Sequence, residues 1–322
     1  MNLKQGELER TLLHCAAIKG HVEVVKLLLE DPRVDVRAVD KDGETVLHYA
    51  AIEDHVEVVK LLLGDARVDV RAVCKDGWTA LHFAARAGCP EVVRLLLGDP
   101  REDARAVDKD GWSALYCAAF GGCPEVVSLL LGDPRVDVRA VDNKGWSALH
   151  CAAIKGHVEV VKLLLEDPRV DVRAVCKEGC SALHSSASEG HVEVVELMLE
   201  DPRVDANAKS NLGTTPLHLA TAENHHKVVQ LLLDSPRLST VNWEDKSSLV
   251  MTALVTESKD ALEELLNHSK ICLGTSEETW RSLEIAARWV LIKHCLVIKL
   301  IHQTYLRLLP QKLQAELQNK TL

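Results

Sequence analysis

Apolar residues recur along this chain in a block of 34 residues. One complete block, Asp40–Val73, opens with the polar turn residues 40–43, continues with a short apolar segment, Val46–Ile52, and ends with a longer one, His55–Leu63. The longer segment has its large residues at the i, i+3 and i+4 spacing of a helix. One position marks the period by holding His14, His48, His82, Tyr116, His150, His184 and His218. The pattern predicts a stack of helical pairs and not one globular core.

Each block also carries the residues that begin and end its helices. Thr45 stands at the N-cap position of the first segment. The position that ends this segment reads Gly20, Asp54, Gly88, Gly122, Gly156, Gly190 and Asn224, and all of these residues tolerate the left-handed region. Helices this short are marginal alone, because nucleation is costly. Stacking must therefore supply the missing contacts.

The repeated pattern D-x-x-G-x-[TS]-x-L-H-x-A-A-x-x-G-H-x-E-V-V-x-L-L-L resembles the ankyrin repeat. Seven copies carry it from Thr11 to Asn242, and the residues from 248 to 266 fit an eighth, degenerate copy. The resemblance implies an all-α solenoid of helix-turn-helix units joined by β-turn or hairpin loops. It also implies that the histidine locks the turn, which favours a structural role over a metal site. The implied function is a non-enzymatic scaffold that binds a partner protein on its concave surface.

The loops depart from this family. Its Asn, which ties adjacent loops together, is replaced by Arg37, Arg71, Arg105, Arg139 and Arg173, and only Asn207 keeps it. We expect Asp35 and Arg37, with their copies, to form i, i+2 charge pairs along an extended segment. Solvated pairs of this kind contribute less than about 1 kcal/mol each.

Composition limits the partners. The formal net charge of −10 argues against nucleic acid or an anionic membrane surface. The ten cysteines contain no C-x-x-C pair, so we expect reduced thiols in a protein of the cytoplasm, or also of the nucleus. We also expect the chain to be a monomer. The start of the chain has no apolar leader segment, and the apolar stretch Leu283–Ile301 carries too many charges to span a membrane.

The candidate binding residues form a row of large side chains. Three tryptophans follow the turn glycine, and three residues follow the A-A pair, at positions that face the concave groove in the resembling family. The six are Trp78, Arg86, Trp112, Phe120, Trp146 and Ile154. Trp and Arg dominate interface hot spots, but tryptophans multiplied by duplication and stacked on the next turn explain the row equally well. Motifs for catalysis, cofactors or metals are absent from the sequence, so none of these is predicted.

The tail has two interpretations. Residues 1–270 are predicted to form the repeat domain and residues 271–322 a C-terminal helical cap. Ser282-Leu283 with Ala287 and Leu291, and Leu309-Pro310 with Leu313, are similar to a SOCS box. That resemblance implies a substrate-recognition subunit recruited through elongin to a cullin ubiquitin ligase. Ala287 stands where the box has Cys and Leu308 where it has Pro, and a ninth, capping repeat fits the same register.

Overall fold

The computed structural model describes residues 9–238, 249–250, 252–253 and 256–267. It divides into two compact units, Met1–Lys177 and Glu178–Leu322. The predicted tail, 271–322, lies outside the described residues, so its capping and SOCS-box-like interpretations stay predictions, as does the domain division at residue 270.

From residue 9 onward, the first unit contains five helical pairs. Its helices are α1 (Leu12–Ile18), α2 (Val22–Glu30), α3 (Val46–Ile52), α4 (Val56–Gly64), α5 (Ala80–Ala87), α6 (Pro90–Gly98), α7 (Ala114–Gly121), α8 (Pro124–Gly132), α9 (Ala148–Lys155) and α10 (Val158–Glu166). Odd-numbered helices pack against one another in chain order, and so do the even-numbered helices. Each repeat therefore contacts its neighbours along the chain, as in a solenoid.

The core of this unit follows the sequence pattern. The side chains of Leu47, Leu81, Leu115 and Leu149, which occupy one position of successive repeats, are each at most 2% exposed. The Ala pairs of α3, α5, α7 and α9 are fully buried, which lets neighbouring helices approach closely. The helices, their pairing and this register confirm the all-α repeat fold.

The second unit is built the same way. It contains α11 (Ala182–Glu189), α12 (Val192–Glu200), α13 (Pro216–Ala222), α14 (His226–Asp234) and α15 (Lys259–Asn267). Helix α15 packs on α13 and α14 and buries Ala261, Leu262 and Leu265. These are positions predicted for the second helix of the eighth repeat. The side chain of Leu266 and residues Ser248 and Met251 of that prediction lie outside the described residues.

The turns are linked by single backbone bonds. Isolated antiparallel bridges join Val39 to Thr45, Val107 to Ser113 and Val141 to Ser147 within their own loops. Between loops, the amide of Lys75 donates to Asp42 O at 2.8 Å, and the same bond recurs at 34-residue steps through the first unit. These bonds fix the spacing of the turns, and hence of the residues that follow each turn glycine.

The expected pairing of Asp35 with Arg37 is wrong. Asp35 accepts a bond from the backbone amide of Arg37 at 3.0 Å, while Arg37 Nε donates to the carbonyl oxygen of Arg67 in the next repeat at 2.8 Å. Arg71, Arg105 and Arg139 make the same bond one repeat further on each time. Asn207 Nδ2 likewise donates to Arg237 O at 3.0 Å. The arginines therefore replace the Asn of the resembling family and link successive loops by hydrogen bonds.

The ion pairs of the loops lie four residues earlier in the pattern, at Asp31 and Arg33 and their copies. In one repeat Asp65 pairs with Arg67 at 2.6 Å, and Arg67 also donates to the carbonyl oxygen of Leu29 at the end of α2. Arg101 pairs with Asp99 and reaches Leu63 O in the same way. Because the last carbonyls of a helix lack partners inside the helix, these arginines satisfy groups that the helix cannot.

Among the described residues no helix is both long enough and apolar enough to cross a membrane.

Candidate protein-binding surface

The histidine column is structural. Thr45 N donates to His48 Nδ1 at 2.8 Å, and His48 Nε2 bonds the carbonyl oxygen of Ala72 at 3.1 Å. His82 bonds Trp112 O at 2.9 Å in the same manner. Burial lowers the pKa of His48 to about 4, so its ring is neutral at pH 7. These histidines thus cap their first helices and fasten them to the adjoining loops, which confirms the structural interpretation.

One repeat departs from this arrangement. Tyr116 occupies the histidine position of α7, and Ser113 Oγ still accepts a bond from the amide of Tyr116 at 3.2 Å. The reciprocal bond of the capping box, present at Thr79 and Ser147 on either side, is missing here. The Tyr116 ring instead lies 4.8 Å from the ring of Trp112, and burial raises the pKa of its hydroxyl. This position therefore exchanges a polar tie for an aromatic contact.

Five rings from two successive repeats form one aromatic cluster: Trp78, Phe83, Trp112, Tyr116 and Phe120. The centroid of Trp78 lies 5.1 Å from Phe83 and 6.3 Å from Trp112, and Trp112 stacks on Phe120 at 5.7 Å. Tyr116 is buried, whereas the other four rings are only half-buried. The cluster thus presents a continuous aromatic surface along the turns and first helices.

Two cations lie over the outermost ring of this cluster. Arg86 Cζ is 4.0 Å and Lys155 Nζ is 4.6 Å from the centroid of Phe120. Arg86 is half-buried and Lys155 is exposed. A Cβ atom on Gly121 would lie 2.5 Å from the carbonyl oxygen of Arg86. The absence of a side chain at Gly121 therefore lets the end of α7 approach the end of α5, which places Phe120 against Arg86.

Trp78 also has a structural contact. Its Nε1 donates to Asp108 Oδ2 at 2.7 Å. Asp108 Oδ1 in turn accepts bonds from the amides of Asp110 and Trp112 at 2.9 and 2.7 Å. The ring of Trp78 therefore helps to fix the next turn, and the stacking interpretation of the tryptophan row has support alongside the binding interpretation.

The structure joins only part of the predicted row. The ring and cation contacts bring Trp78, Arg86, Trp112 and Phe120 into one cluster. The ring of Trp146 lies 5.9 Å from His150, and Ile154 is half-buried near the end of α9. By these contacts the last two residues are neighbours of the aromatic cluster and not members of it.

The six predicted residues leave out three contributors to this surface: Phe83, Tyr116 and Lys155, of which Lys155 follows Ile154 at a position that faces the groove in the resembling family. Tyr116 did carry a signal, because it is the one departure in the histidine column. Lys155 is the second residue after its A-A pair, and Ala87 and Gly121 occupy this position in the preceding repeats. Its contact with Phe120 depends on how α9 packs against α7, which the spacing alone does not determine.

A buried carboxylate lies elsewhere in the first unit. Glu102 is 4% exposed, and within the described residues neither of its carboxylate oxygens has a hydrogen-bond partner. Burial, with the charges of Asp103 and Asp99 nearby, raises the pKa of Glu102 to about 7. A buried charge without a partner destabilises the fold, so ionised Glu102 lowers the stability of the first unit.

Comparison with known families agrees with the repeat pattern. A family model described as ankyrin repeats (3 copies) matches residues 1–72, 66–142, 100–174, 134–210 and 168–242, which together cover more than half of the chain. The search of curated proteins found no match.

Proposed function

The chain belongs to the ankyrin repeat family, and we propose that it binds a partner protein through the aromatic cluster and the two cations beside it. Ankyrin repeats are generally protein-protein interaction modules, and the family is typically non-enzymatic. We propose binding, and not catalysis, as the role of this chain.

The observation that carries the proposal is the incomplete burial of large rings. Trp78, Phe83, Trp112 and Phe120 are in contact with one another, yet each is only half-buried. Aromatic side chains dominate core and interface energetics, and Trp and Arg are enriched in interface hot spots. A partner that covered this surface would remove the remaining apolar area from water.

The competing explanation is that the rings serve only to stack the repeats. The bond from Trp78 to Asp108 supports a structural share. The two roles differ in what a substitution changes. Loss of a purely structural ring lowers stability and leaves affinity intact, whereas loss of an interface ring lowers affinity beyond the effect of any unfolding.

The test compares Trp112→Ala with Leu27→Ala. Leu27 is 66% exposed on α2, away from the aromatic cluster in the fold, and serves as the apolar control. A partner captured by the full chain would be purified and titrated against all three proteins at a temperature where thermal melts show each to be folded. We expect Trp112→Ala to weaken binding about tenfold or more and Leu27→Ala to leave it unchanged. Equal affinity of all three would refute the binding role.

A second candidate function rests on the sequence of residues 271–322. The elements similar to a SOCS box would make the chain a substrate receptor of a cullin ubiquitin ligase. Capture with the full chain and with a chain truncated at Ser269 separates this role from that of the repeats. We expect elongin on the full chain alone if the box is functional. Its absence from both captures would remove the ligase role and leave the repeat surface untouched.

We also propose a cytoplasmic or nuclear setting. Among the described residues no cysteine forms a disulfide, and burial raises the pKa of the Cys117 and Cys151 thiols, which keeps these two thiols inert. The formal net charge of −10 supports a protein partner over nucleic acid. Light scattering of the purified chain would test the proposed monomer.

A further inference from the structure

Arg86, Phe120 and Lys155 form a cationic site at one end of the aromatic cluster. Their helices are consecutive members of one row, because α7, which carries Phe120, packs against both α5 and α9. Both cationic groups lie within 4.6 Å of the centre of the same ring. A cation over an aromatic face is attracted by the ring, so Phe120 holds both charges in place.

These two charges have no acidic partner within salt-bridge distance in the described part of the chain. Two cations on the second helices of this unit do have one: Lys60 pairs with Glu57 at 2.7 Å, and Arg94 pairs with Glu91 at 3.3 Å. A guanidinium that rests its face on a ring keeps its N–H groups directed outward at its edge. Arg86 therefore retains donors for another molecule.

The aspartates of the adjoining turns are already engaged. Asp108 receives bonds from Trp78, Asp110 and Trp112. Asp142 Oδ1 accepts bonds from the amides of Lys144 and Trp146, both at 2.8 Å. These bonds hold the turns, and neither carboxylate lies within salt-bridge distance of Arg86 or Lys155.

We infer that the partner presents an acidic segment to this surface, with Asp or Glu beside an aromatic or aliphatic side chain. The carboxylate binds the Arg86 fork and the Lys155 ammonium, and the apolar side chain lies on Phe120 and Trp112. Arginine is suited to paired bonds with a carboxylate, and lysine supplies a point charge. The inference rests on the proposed function and names the chemistry of its partner.

The acidic balance of the whole chain does not prevent this. Charges more than a Debye length away, about 8 Å at physiological salt, are largely screened. The formal net charge of −10 therefore slows the encounter with an acidic partner but acts weakly once the segment is in contact. Selectivity then comes from the two cations at short range.

The test is selection from a display library of random short peptides on the full-length protein, followed by titration of the selected peptides. Each selected peptide is compared with a copy in which Asp and Glu are replaced by Asn and Gln. Three proteins are used: wild type, Arg86→Gln with Lys155→Gln, and a control with Lys60→Gln and Arg94→Gln. The control removes the same charge from the second helices α4 and α6, and circular dichroism checks that all three fold.

We expect the selected peptides to combine acidic with aromatic or aliphatic residues. Neutralising either the peptide or Arg86 and Lys155 should weaken binding about tenfold or more, as for loss of hydrogen bonds to charged groups. The control should change it less than about twofold, because its charges are already paired. High salt should weaken the acidic peptides and not their neutral copies.

The outcomes separate the two proposals. Selected peptides that lack acidic residues, or that bind the double variant as well as wild type, would overturn the inference. If such peptides lose affinity for Trp112→Ala, the proposed function still stands. If no peptide is selected on this surface at all, both proposals fail.

Discussion

Replacing Glu102 with valine should stabilise the first unit, and the gain in free energy of unfolding should be larger at higher pH. Five other repeats carry valine at this position, namely Val34, Val68, Val136, Val170 and Val204, each 5 or 6% exposed. The position therefore accepts a buried apolar side chain. Glu102 is buried to the same extent but carries a carboxylate without a partner in the described part of the chain.

The size of the effect follows from the pKa. The folded protein raises the pKa of Glu102 from 4.5 to about 7, so the folded state holds the proton more tightly than the unfolded chain does. Stability falls as pH rises from 4.5 and the whole loss is present above pH 7. A shift of this size corresponds to about 3 kcal/mol at pH 8, and at pH 5 the loss is below about 1 kcal/mol.

Urea unfolding at pH 5 and pH 8, followed by tryptophan fluorescence, measures this difference. The comparison must be between variant and wild type, because buried His48, whose pKa falls to about 4, makes stability fall toward low pH in both proteins. Glu102→Gln is the matched control, since it cannot ionise but remains polar. We expect it to lose the pH dependence and to gain less than valine at pH 8.

One result would refute the reasoning. If Glu102→Val gained the same free energy of unfolding at pH 5 and pH 8, the carboxylate would have no ionisation penalty in the folded protein. Glu102 would then be solvated or paired, and the gain would reflect apolar burial alone.

Two further predictions concern the loops and the helix ends. Arg105→Ala should lower the free energy of unfolding by about 1 kcal/mol, because it removes the bond to the next loop. Arg105→Asn should remain within about 0.5 kcal/mol of wild type, since Asn207 makes the equivalent bond in its own repeat. Equal losses for the two variants in urea unfolding would show that this bond does not link the loops. Gly98→Ala should stabilise by about 0.5 kcal/mol, because Gly98 is helical and its Cβ would meet nothing within 4 Å. Gly122→Ala should destabilise by more than about 1 kcal/mol, since Gly122 has φ +69° and its Cβ would lie 2.5 Å from the His157 ring. Thermal melts that ranked these two glycine variants in the opposite order would contradict this account.

Much of the fold could be predicted because its contacts are local and periodic. The 34-residue spacing of Leu47, Leu81 and Leu115 places the same apolar face in each repeat, and all three are buried. Helix ends followed in the same way from Thr45 and from the glycine column. These features depend on residues close in sequence, and for that reason a single block was enough to define them.

The candidate site was less predictable. Trp78, Trp112 and Phe120 were named from their positions, but the contacts of Lys155 with Phe120 and of Trp78 with Asp108 join residues 30 or more positions apart. The side chains of Arg37, Arg71, Arg105 and Arg139 were misassigned for the same reason. The sequence pattern predicted that Arg37 pairs with Asp35, two residues away, whereas the Arg37 side chain donates to the carbonyl oxygen of Arg67 in the next repeat.

By itself, the sequence determined the repeat, its two helices, its caps and the apolar face that each repeat shares with the next, since these follow from short-range periodicity and backbone preference. Only the tertiary structure decided which side chains from neighbouring repeats meet. Stacking at close range sets those distances, and through them the charge left unpaired over Phe120 and the carboxylate of Glu102 taken out of water.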